Sequence, residues 1–417
     1  MKRSRSSTKY PAHERFLEEL SDDLRIRRDE GRLRQLTEVS EVDSVRVRVR
    51  GVTAVNWCSN DYLGLSMHPE LAAAAASSAA TWGVGARASR LLSGTTSWHL
   101  RLEAALARWF ATEAAIVYPS GYQANLGTLG SLLSSQDIVF VDRLAHASLI
   151  DAARASRATL RVFHHNDVAH LARLLQRTSA GRRRMIVTEG VFSMEGDRAP
   201  LADLLAVATT HEALIYVDDA HGAFVLGQQG RGAPEAAKLA HAPFLYMGTL
   251  GKALGCQGGF VVGPRKLIDF LRNQARTFIY TTALAVPVVA AAVTALEVLE
   301  REPQRRANLW NVAGFLRARL AALSGSNGVA TDDQPCSHIV PVIVGSSKLS
   351  CELAEWLLKR GLWAPAIRPP TVPEGRARLR LSLTALHTQS HIDELGDALE
   401  EGVRTFRMSP AFHGSGS

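Results

Sequence analysis

Two short segments hold the side chains best suited to chemistry: Val217-Asp218-Asp219-Ala220-His221-Gly222 and Thr249-Leu250-Gly251-Lys252-Ala253-Leu254-Gly255. Between them they offer a carboxylate, an imidazole and a lysine amine. A lysine can form a Schiff base with an aldehyde, and a carboxylate facing a pyridine nitrogen keeps that ring protonated and able to draw electrons from an adjacent carbanion. Lys252 and Asp218 suit those two roles in pyridoxal phosphate (PLP) chemistry, and His221 can donate a hydrogen bond toward the cofactor's phenolate oxygen. Simpler readings exist: Asp218 and Asp219 could cap a helix, and Lys252 could be a surface lysine. A phosphate-binding loop fails, because Ala253 stands where Ser or Thr must bind magnesium and Gly248 lies too close upstream. Gly248, Gly251, Gly255, Gly258 and Gly259 favour the cofactor, since they let backbone approach a flat ring closely.

Other candidates gather around the same chemistry. Pro119-Ser120-Gly121-Tyr122-Gln123-Ala124-Asn125 joins an apolar run to a helical pattern, so the amides of Gly121 and Tyr122 sit where a phosphate is favoured. Thr249 can add a hydroxyl to that phosphate. Ser193 follows a strand pattern and could hydrogen-bond the cofactor or be an ordinary loop serine. His146 opens a helical pattern, where it could stack on a cofactor ring or cap the helix; stacking is the favoured reading. Gly83-Val84-Gly85-Ala86-Arg87-Ala88 lacks the preceding strand that a dinucleotide turn needs, and neither a G-x-S-x-G elbow nor an H-E-x-x-H helix occurs. Hydride transfer, serine hydrolysis and metalloprotease chemistry therefore lack support.

The elements that must position these groups are legible as apolar periodicity. Seven short β-rich runs, Ala115–Tyr118, Ile138–Val141, Leu160–Phe163, Met185–Thr188, Leu214–Val217, Phe244–Met247 and Phe260–Val262, alternate with helical patterns such as His146–Ser156 and His170–Arg177. That alternation predicts an α/β fold with a central, mostly parallel seven-stranded sheet and helices on both faces. Such sheets bind ligands outside the carboxyl ends of their strands, which is where Asp218 and Lys252 would emerge. The expected divisions are a helical arm over 1–50, a large domain over 51–286, a smaller α+β domain over 287–408 and a disordered tail over 409–417. The second domain rests on helices at Asn308–Leu323, Cys351–Arg360 and His391–Phe406 around strands at His338–Val344 and Ala377–Leu383.

Bulk properties are those of a soluble globular protein. Of 417 residues, 46% are hydrophobic and 21% charged, with a formal net charge of +8. Basic runs such as Arg182-Arg183-Arg184 come without a nucleic-acid recognition motif, so neither nucleic acid nor membrane is expected as a partner. The four cysteines, Cys58, Cys256, Cys336 and Cys351, have no metal-site or disulfide-framework spacing, and no metal is expected. The basic start runs into Pro11, His13 and Glu14 rather than an apolar stretch, so no signal peptide is expected and the location is read as cytoplasmic. Ala283–Leu296 is too short to span a bilayer and reads as a buried helix.

Taken together, these segments closely resemble the α-oxoamine synthases, fold-type I PLP enzymes that condense an amino acid with an acyl thioester and release carbon dioxide. The resemblance spans residues 15–405 and is carried by Ser59–Leu65, Ser89–Gly94, Asp142–Ser148, Thr188–Asp197, Val217–Gly222 and Gly248–Gly259. Ala366–Pro373 and Ala377–Thr384 resemble the biotin-pathway branch, which implies L-alanine and pimeloyl-CoA, or its carrier-protein equivalent, as substrates. Sister enzymes that use glycine or serine with another acyl-CoA are the alternative. The resemblance implies Lys252 as Schiff-base lysine, Asp218 at the pyridine nitrogen, His221 and Ser193 on the cofactor, and Gly121, Tyr122 and Thr249 on its phosphate side. It implies His146 against the ring and substrate, Arg380 on the amino acid's carboxylate, and Arg34, Asn60 and Thr371 on the substrate side. It also implies a homodimer with the active site at the interface, Thr281 and Thr282 reaching the partner's cofactor phosphate.

Overall fold

The computed structural model describes residues 10–30, 32–178, 182–323 and 337–406. The expected tail over 409–417 and Cys336 lie outside these. All seven expected strands form: β1 (Ala114–Tyr118), β2 (Ile138–Asp142), β3 (Thr159–Phe163), β4 (Arg184–Glu189), β5 (Leu214–Asp218), β6 (Leu245–Thr249) and β7 (Gly259–Gly263). They make one sheet in the order β1-β7-β6-β5-β4-β2-β3, with β7 antiparallel to both neighbours and the pairs along β6-β5-β4-β2-β3 parallel. Strand residues such as Val139, Phe140 and Val141 are buried on alternating sides, and the two sides belong to separate apolar clusters. Helices therefore cover both faces, which is why these strands read as continuous apolar runs.

Register decides what happens at the sheet's rim. Glu189 pairs with Asp218, and Asp218 with Met247, so two carboxylates stand side by side at the ends of adjacent strands. The neighbouring Asp219 has a different task. Its carboxylate accepts from the Ala233 amide at 2.6 Å and the Tyr246 hydroxyl at 2.8 Å. A Cβ at Gly190, Gly222 or Gly232 would lie 2.0–2.1 Å from its oxygens, so these glycines make the room that it occupies.

The C-terminal part carries a three-stranded antiparallel sheet from Ile339–Gly345, Ala377–Ser382 and Ala366–Ile367, with helices Gln304–Leu323, Ser347–Lys359 and Gln389–Thr405. On Ala377–Ser382, Arg378 and Arg380 share a face by the two-residue period of a strand, and both reach back to the 193–195 loop of the large domain. Just beyond that loop, Asp197 is tied to Asp142 through His165. His165 places Nδ1 3.0 Å from Asp142 and Nε2 2.8 Å from Asp197.

Two expectations need correction. The arm over 1–50 is helical only across Pro11–Asp29; Val39–Glu41, Arg46–Val49 and Val52–Asn56 form a β-meander completed by Leu362–Trp363 from the C-terminal part. A boundary at residue 50 falls inside a hairpin whose short strands persist through tertiary pairing. Helix Val286–Arg301 packs against helices Pro69–Trp82 and Ser97–Trp109, so the chain beyond 286 is joined to the earlier part rather than set off from it. Among the described residues, no helix is long and apolar enough to cross a membrane.

A buried ion-pair network joins helix Ser97–Trp109 to the sheet. Glu103 accepts from Arg90 at 2.8 Å, from Arg272 at 3.1 Å and from the Val117 amide at 3.3 Å. Removing the carboxylate strands the buried Arg90 charge, so Glu103→Ala should lower the unfolding free energy by about 3–5 kcal/mol. Denaturant melts check this, and a wild-type midpoint would refute it. A second expectation concerns His165. Burial opposes its charge, but hydrogen bonds and charge from Asp142 and Asp197 prevail and raise its pKa to about 10. A folded pKa above the unfolded value of about 6.5 gives stability that is complete below that pH and is lost as pH rises toward 10. Melting the wild type and His165→Gln at stepped pH should show that slope only in the wild type.

Candidate functional site

The carboxyl ends of β4, β5 and β6 deliver Glu189, Asp218 and, just beyond β6, Lys252 to one rim of the sheet. Lys252 Nζ lies 2.8 Å from His221 Nε2. Desolvation lowers the lysine's pKa to about 8, against the opposing pull of Asp218 and Glu189. For Glu189, burial first and the Asp218 charge second push the carboxyl well above the usual range. Burial, then Lys252 and Arg380, hold His221 well below the ordinary imidazole value, so its ring is neutral.

Asp218 is fixed by two groups. Asn125 Nδ2 donates to Oδ2 at 2.6 Å and the Ala220 amide donates to Oδ1 at 3.0 Å. Asn125 in turn accepts from Tyr216 Oη at 2.8 Å and donates to Ser148 Oγ at 2.9 Å. Ser148 Oγ lies 2.8 Å from His146 Nδ1, so a continuous polar chain runs from Asp218 to His146. His146 caps helix Ala147–Ala155 by accepting from the Ser148 amide at 3.2 Å, and its own amide donates to Glu189 at 2.7 Å. Both readings of His146 therefore stay compatible: Nδ1 serves the cap while the ring faces the cavity.

Phosphate-side candidates meet where β1 and β6 flank β7. Gly259 pairs with both Tyr118 and Thr249, and a Cβ on it would lie 2.6–2.7 Å from the Ser120 carbonyl and Gly121 backbone. A Cβ on Gly121, at the start of helix Gly121–Leu132, would come within 3.0 Å of Met247 and 3.7 Å of Thr249. Gly121 and the Thr249 side chain are thus neighbours, with Thr249 Oγ1 oriented by the Gly258 carbonyl at 2.7 Å and the Gly251 amide at 3.2 Å. Tyr122 is exposed and its hydroxyl bonds Asp151 at 2.5 Å.

A cavity of about 860 Å³ opens beside His146 and Ser193, lined also by Arg34, Arg143 and Thr371. Arg34 Nη2 donates to Thr371 Oγ1 at 3.1 Å. Arg380 is buried; it donates from Nε to the Ser193 carbonyl and from Nη1 to Ser382 Oγ at 2.7 Å and Asn60 Oδ1 at 3.3 Å. Thr281 and Thr282 sit on a different segment, with Thr282 bridged to Ser89. The single chain thus gathers most of the expected side chains, and Thr281 and Thr282 are held apart from them on the segment paired with Ser89.

Three groups went unassigned in the sequence. Asn125 lies four residues after Gly121, so helical phase puts both on one face. Glu189 ends its strand as Asp218 ends the next. Tyr62 sits in the Ser59–Leu65 segment, and only folding brings its hydroxyl to His221 and Arg380.

The residues present fit a phosphorylated pyridine aldehyde. Lys252 supplies an amine of lowered basicity, Asp218 a fixed carboxylate, His221 a neutral imidazole, and the glycine cradle at 121 and 259 an anion site at a helix start. Comparison with known proteins points the same way. The family model for aminotransferase class I and II matches residues 52–399. The 8-amino-7-oxononanoate synthase of Anaeromyxobacter dehalogenans is 45% identical over 87% of this chain and 90% of its own, and that of Chromobacterium violaceum 43% over 92% and 98%. Serine palmitoyltransferase from S. paucimobilis, solved with a bound PLP–myriocin aldimine, superposes with a TM-score of 0.86 at 32% identity over 93% of this chain and 97% of that one. The Francisella tularensis 8-amino-7-oxononanoate synthase does so with a TM-score of 0.72 at 28% identity, over 85% and 99%. With a family match across most of its length and a site built to the same chemistry, this chain belongs to the class I and II aminotransferase family.

Proposed function

We propose that the chain condenses L-alanine with a pimeloyl thioester, carried on CoA or on a carrier protein, to give 8-amino-7-oxononanoate, carbon dioxide and free thiol. It would do so as a cytoplasmic homodimer with PLP at the subunit interface. One observation carries the reading: the partly buried Lys252 amine, 2.8 Å from His221, opposite the paired carboxylates of Asp218 and Glu189. The substrates follow the names of curated relatives that are 41–45% identical.

When bound, PLP supplies an electron sink that stabilises negative charge at the amino acid's α-carbon. Asp218, held by Asn125 and the Ala220 amide, keeps a proton on the pyridine nitrogen. Gly121, Tyr122 and Thr249 face the phosphate, joined by Thr281 and Thr282 of the partner subunit. Lys252, with a pKa near 8, is basic enough to take the α-proton and weak enough to be partly unprotonated at neutral pH. His146 accepts at Nδ1 from the Ser148 amide, so its neutral ring carries the proton on Nε2 and can donate to the thioester oxygen as charge develops. Arg380 fixes the carboxylate, Ser193 and His221 hold the ring, and Arg34, Asn60 and Thr371 line the acyl side.

The structural likeness to serine palmitoyltransferase favours a second reading, serine with a longer acyl thioester. Thiol release with pimeloyl-CoA or palmitoyl-CoA, each paired with alanine, glycine or serine, separates them. Alanine with pimeloyl-CoA should lead by roughly tenfold or more, and faster turnover of serine with palmitoyl-CoA would favour the second reading.

Borohydride reduction of PLP-saturated protein followed by peptide mapping should place the phosphopyridoxyl group on Lys252; an unmodified Lys252 overturns the assignment. Arg380→Lys keeps the charge but loses the planar fork, so alanine affinity should fall roughly tenfold to a hundredfold. Spectroscopic titration with alanine measures it, and wild-type affinity in the variant would remove Arg380 from this role.

A further inference from the structure

Tyr62 is wholly buried, and its hydroxyl stands between the two halves of the site. It lies 2.6 Å from His221 Nδ1, 3.0 Å from Asn60 Oδ1 and 3.4 Å from Arg380 Nη2. The ends of this run fix the direction of its hydrogen bonds. Arg380 can only donate, so the Asn60 atom 3.3 Å from its Nη1 is the carbonyl oxygen, and the Tyr62–Asn60 contact must use the tyrosine's single proton. With that proton committed, Tyr62 accepts from His221 Nδ1–H. His221 Nε2 is then left as an acceptor for the Lys252 amine at 2.8 Å.

A neutral imidazole also has the opposite arrangement. For Nε2 to donate, to a neutral Lys252 amine or to a phenolate oxygen, Nδ1 must accept, and Tyr62 must supply the proton. Both acceptors already lie within reach of the same hydroxyl, so the change needs rotation of one O–H and no heavy-atom movement. His338 packs its ring against Tyr62 with centroids 4.0 Å apart and an interplanar angle of 63°, which holds the phenol in place. The charged and titratable groups acting on His221 are Lys252, Arg380, His338 and His146, while Asp218, Glu189 and Asp219 act on Lys252.

We propose that Tyr62 is a positioning residue that sets the tautomer of His221 and couples it, through Asn60, to Arg380. The orientation of one hydroxyl thereby links the lysine side of the site to the carboxylate side. This rests on the function proposed above, which gives Arg380 the amino acid's carboxylate.

The test uses PLP-loaded protein and follows the visible absorbance of the bound cofactor against pH, with no substrate present. Tyr62→Phe should move the pH midpoint by about half a unit or more, the size expected for one neutral hydrogen bond. Asn60→Ala should move it too, because Asn60 is hydrogen-bonded to Tyr62, the partner of His221, and should have little further effect once Tyr62→Phe is present. A wild-type midpoint in Tyr62→Phe, or additive shifts in the double variant, overturns the proposal. Should Tyr62→Phe fail to fold, Asn60→Ala alone decides, because Asn60 is exposed and an unshifted midpoint refutes the coupling. Absence of condensation product would sink the proposed reaction and leave this titration standing.

Discussion

An amine removed from water beside paired carboxylates is the constraint on which this structure turns. Lysine does not stay protonated cheaply away from solvent, and carboxylates on adjacent strand ends do not both stay ionised. Lys252 is pushed toward neutrality while Asp218 and Glu189 pull it back, and Glu189 is driven toward its protonated form. The sheet enforces this balance: parallel register sets Glu189 against Asp218, and the loop after β6 carries Lys252 over both. Loops alone would relax from so unfavourable an arrangement, whereas strands buried on both faces cannot.

Two polar chains carry the consequences outward. One runs from Asp218 through Asn125 and Ser148 to His146; the other runs from Lys252 through His221, Tyr62 and Asn60 to Arg380. Each links residues far apart in sequence and ends on a group proposed to meet substrate. Arg380 also leans on the Ser193 carbonyl, in a loop beyond which His165 ties Asp197 to Asp142. The smaller domain thus contributes its arginine only while that loop keeps its shape.

What the sequence made legible follows from how local each signal was. The central strands are short apolar runs flanked by helical patterns, so periodicity alone located all seven. Lys252, Asp218 and His221 announced themselves because a lysine in a glycine cluster and a strand-end acid followed by a histidine have few other uses. Tyr62, Asn125 and Glu189 did not, since buried tyrosines, helical asparagines and strand-end glutamates each have ordinary structural roles. Their meaning lies in contacts spanning 159 residues for Tyr62 to His221 and 93 for Asn125 to Asp218. The meander over Val39–Asn56 escaped for a related reason: its strands are short, and Leu362–Trp363, which completes the sheet, lies hundreds of residues away.

The same division explains why fold and sequence point to different relatives. Serine palmitoyltransferase superposes more closely than the Francisella 8-amino-7-oxononanoate synthase, yet curated synthases share more identity with this chain. In the proposed reaction Lys252, Asp218 and His221 would handle a proton and an electron sink, a task that does not change with the amino acid or the acyl chain. Backbone similarity therefore does not by itself separate the two substrate classes. On the proposed reading, choice between a short diacid and a long fatty chain falls to the cavity lined by Arg34, Arg143 and Thr371. The lining mixes Arg34 and Arg143 with Glu195, Glu374 and apolar groups such as Leu144, Met194 and Val372, so its cations can meet the far carboxylate of a diacid, a group that a hydrocarbon tail lacks. On the proposed reading, the diacid's far carboxylate, and not the shape of the sheet, is the feature by which such an entrance would tell the two donors apart.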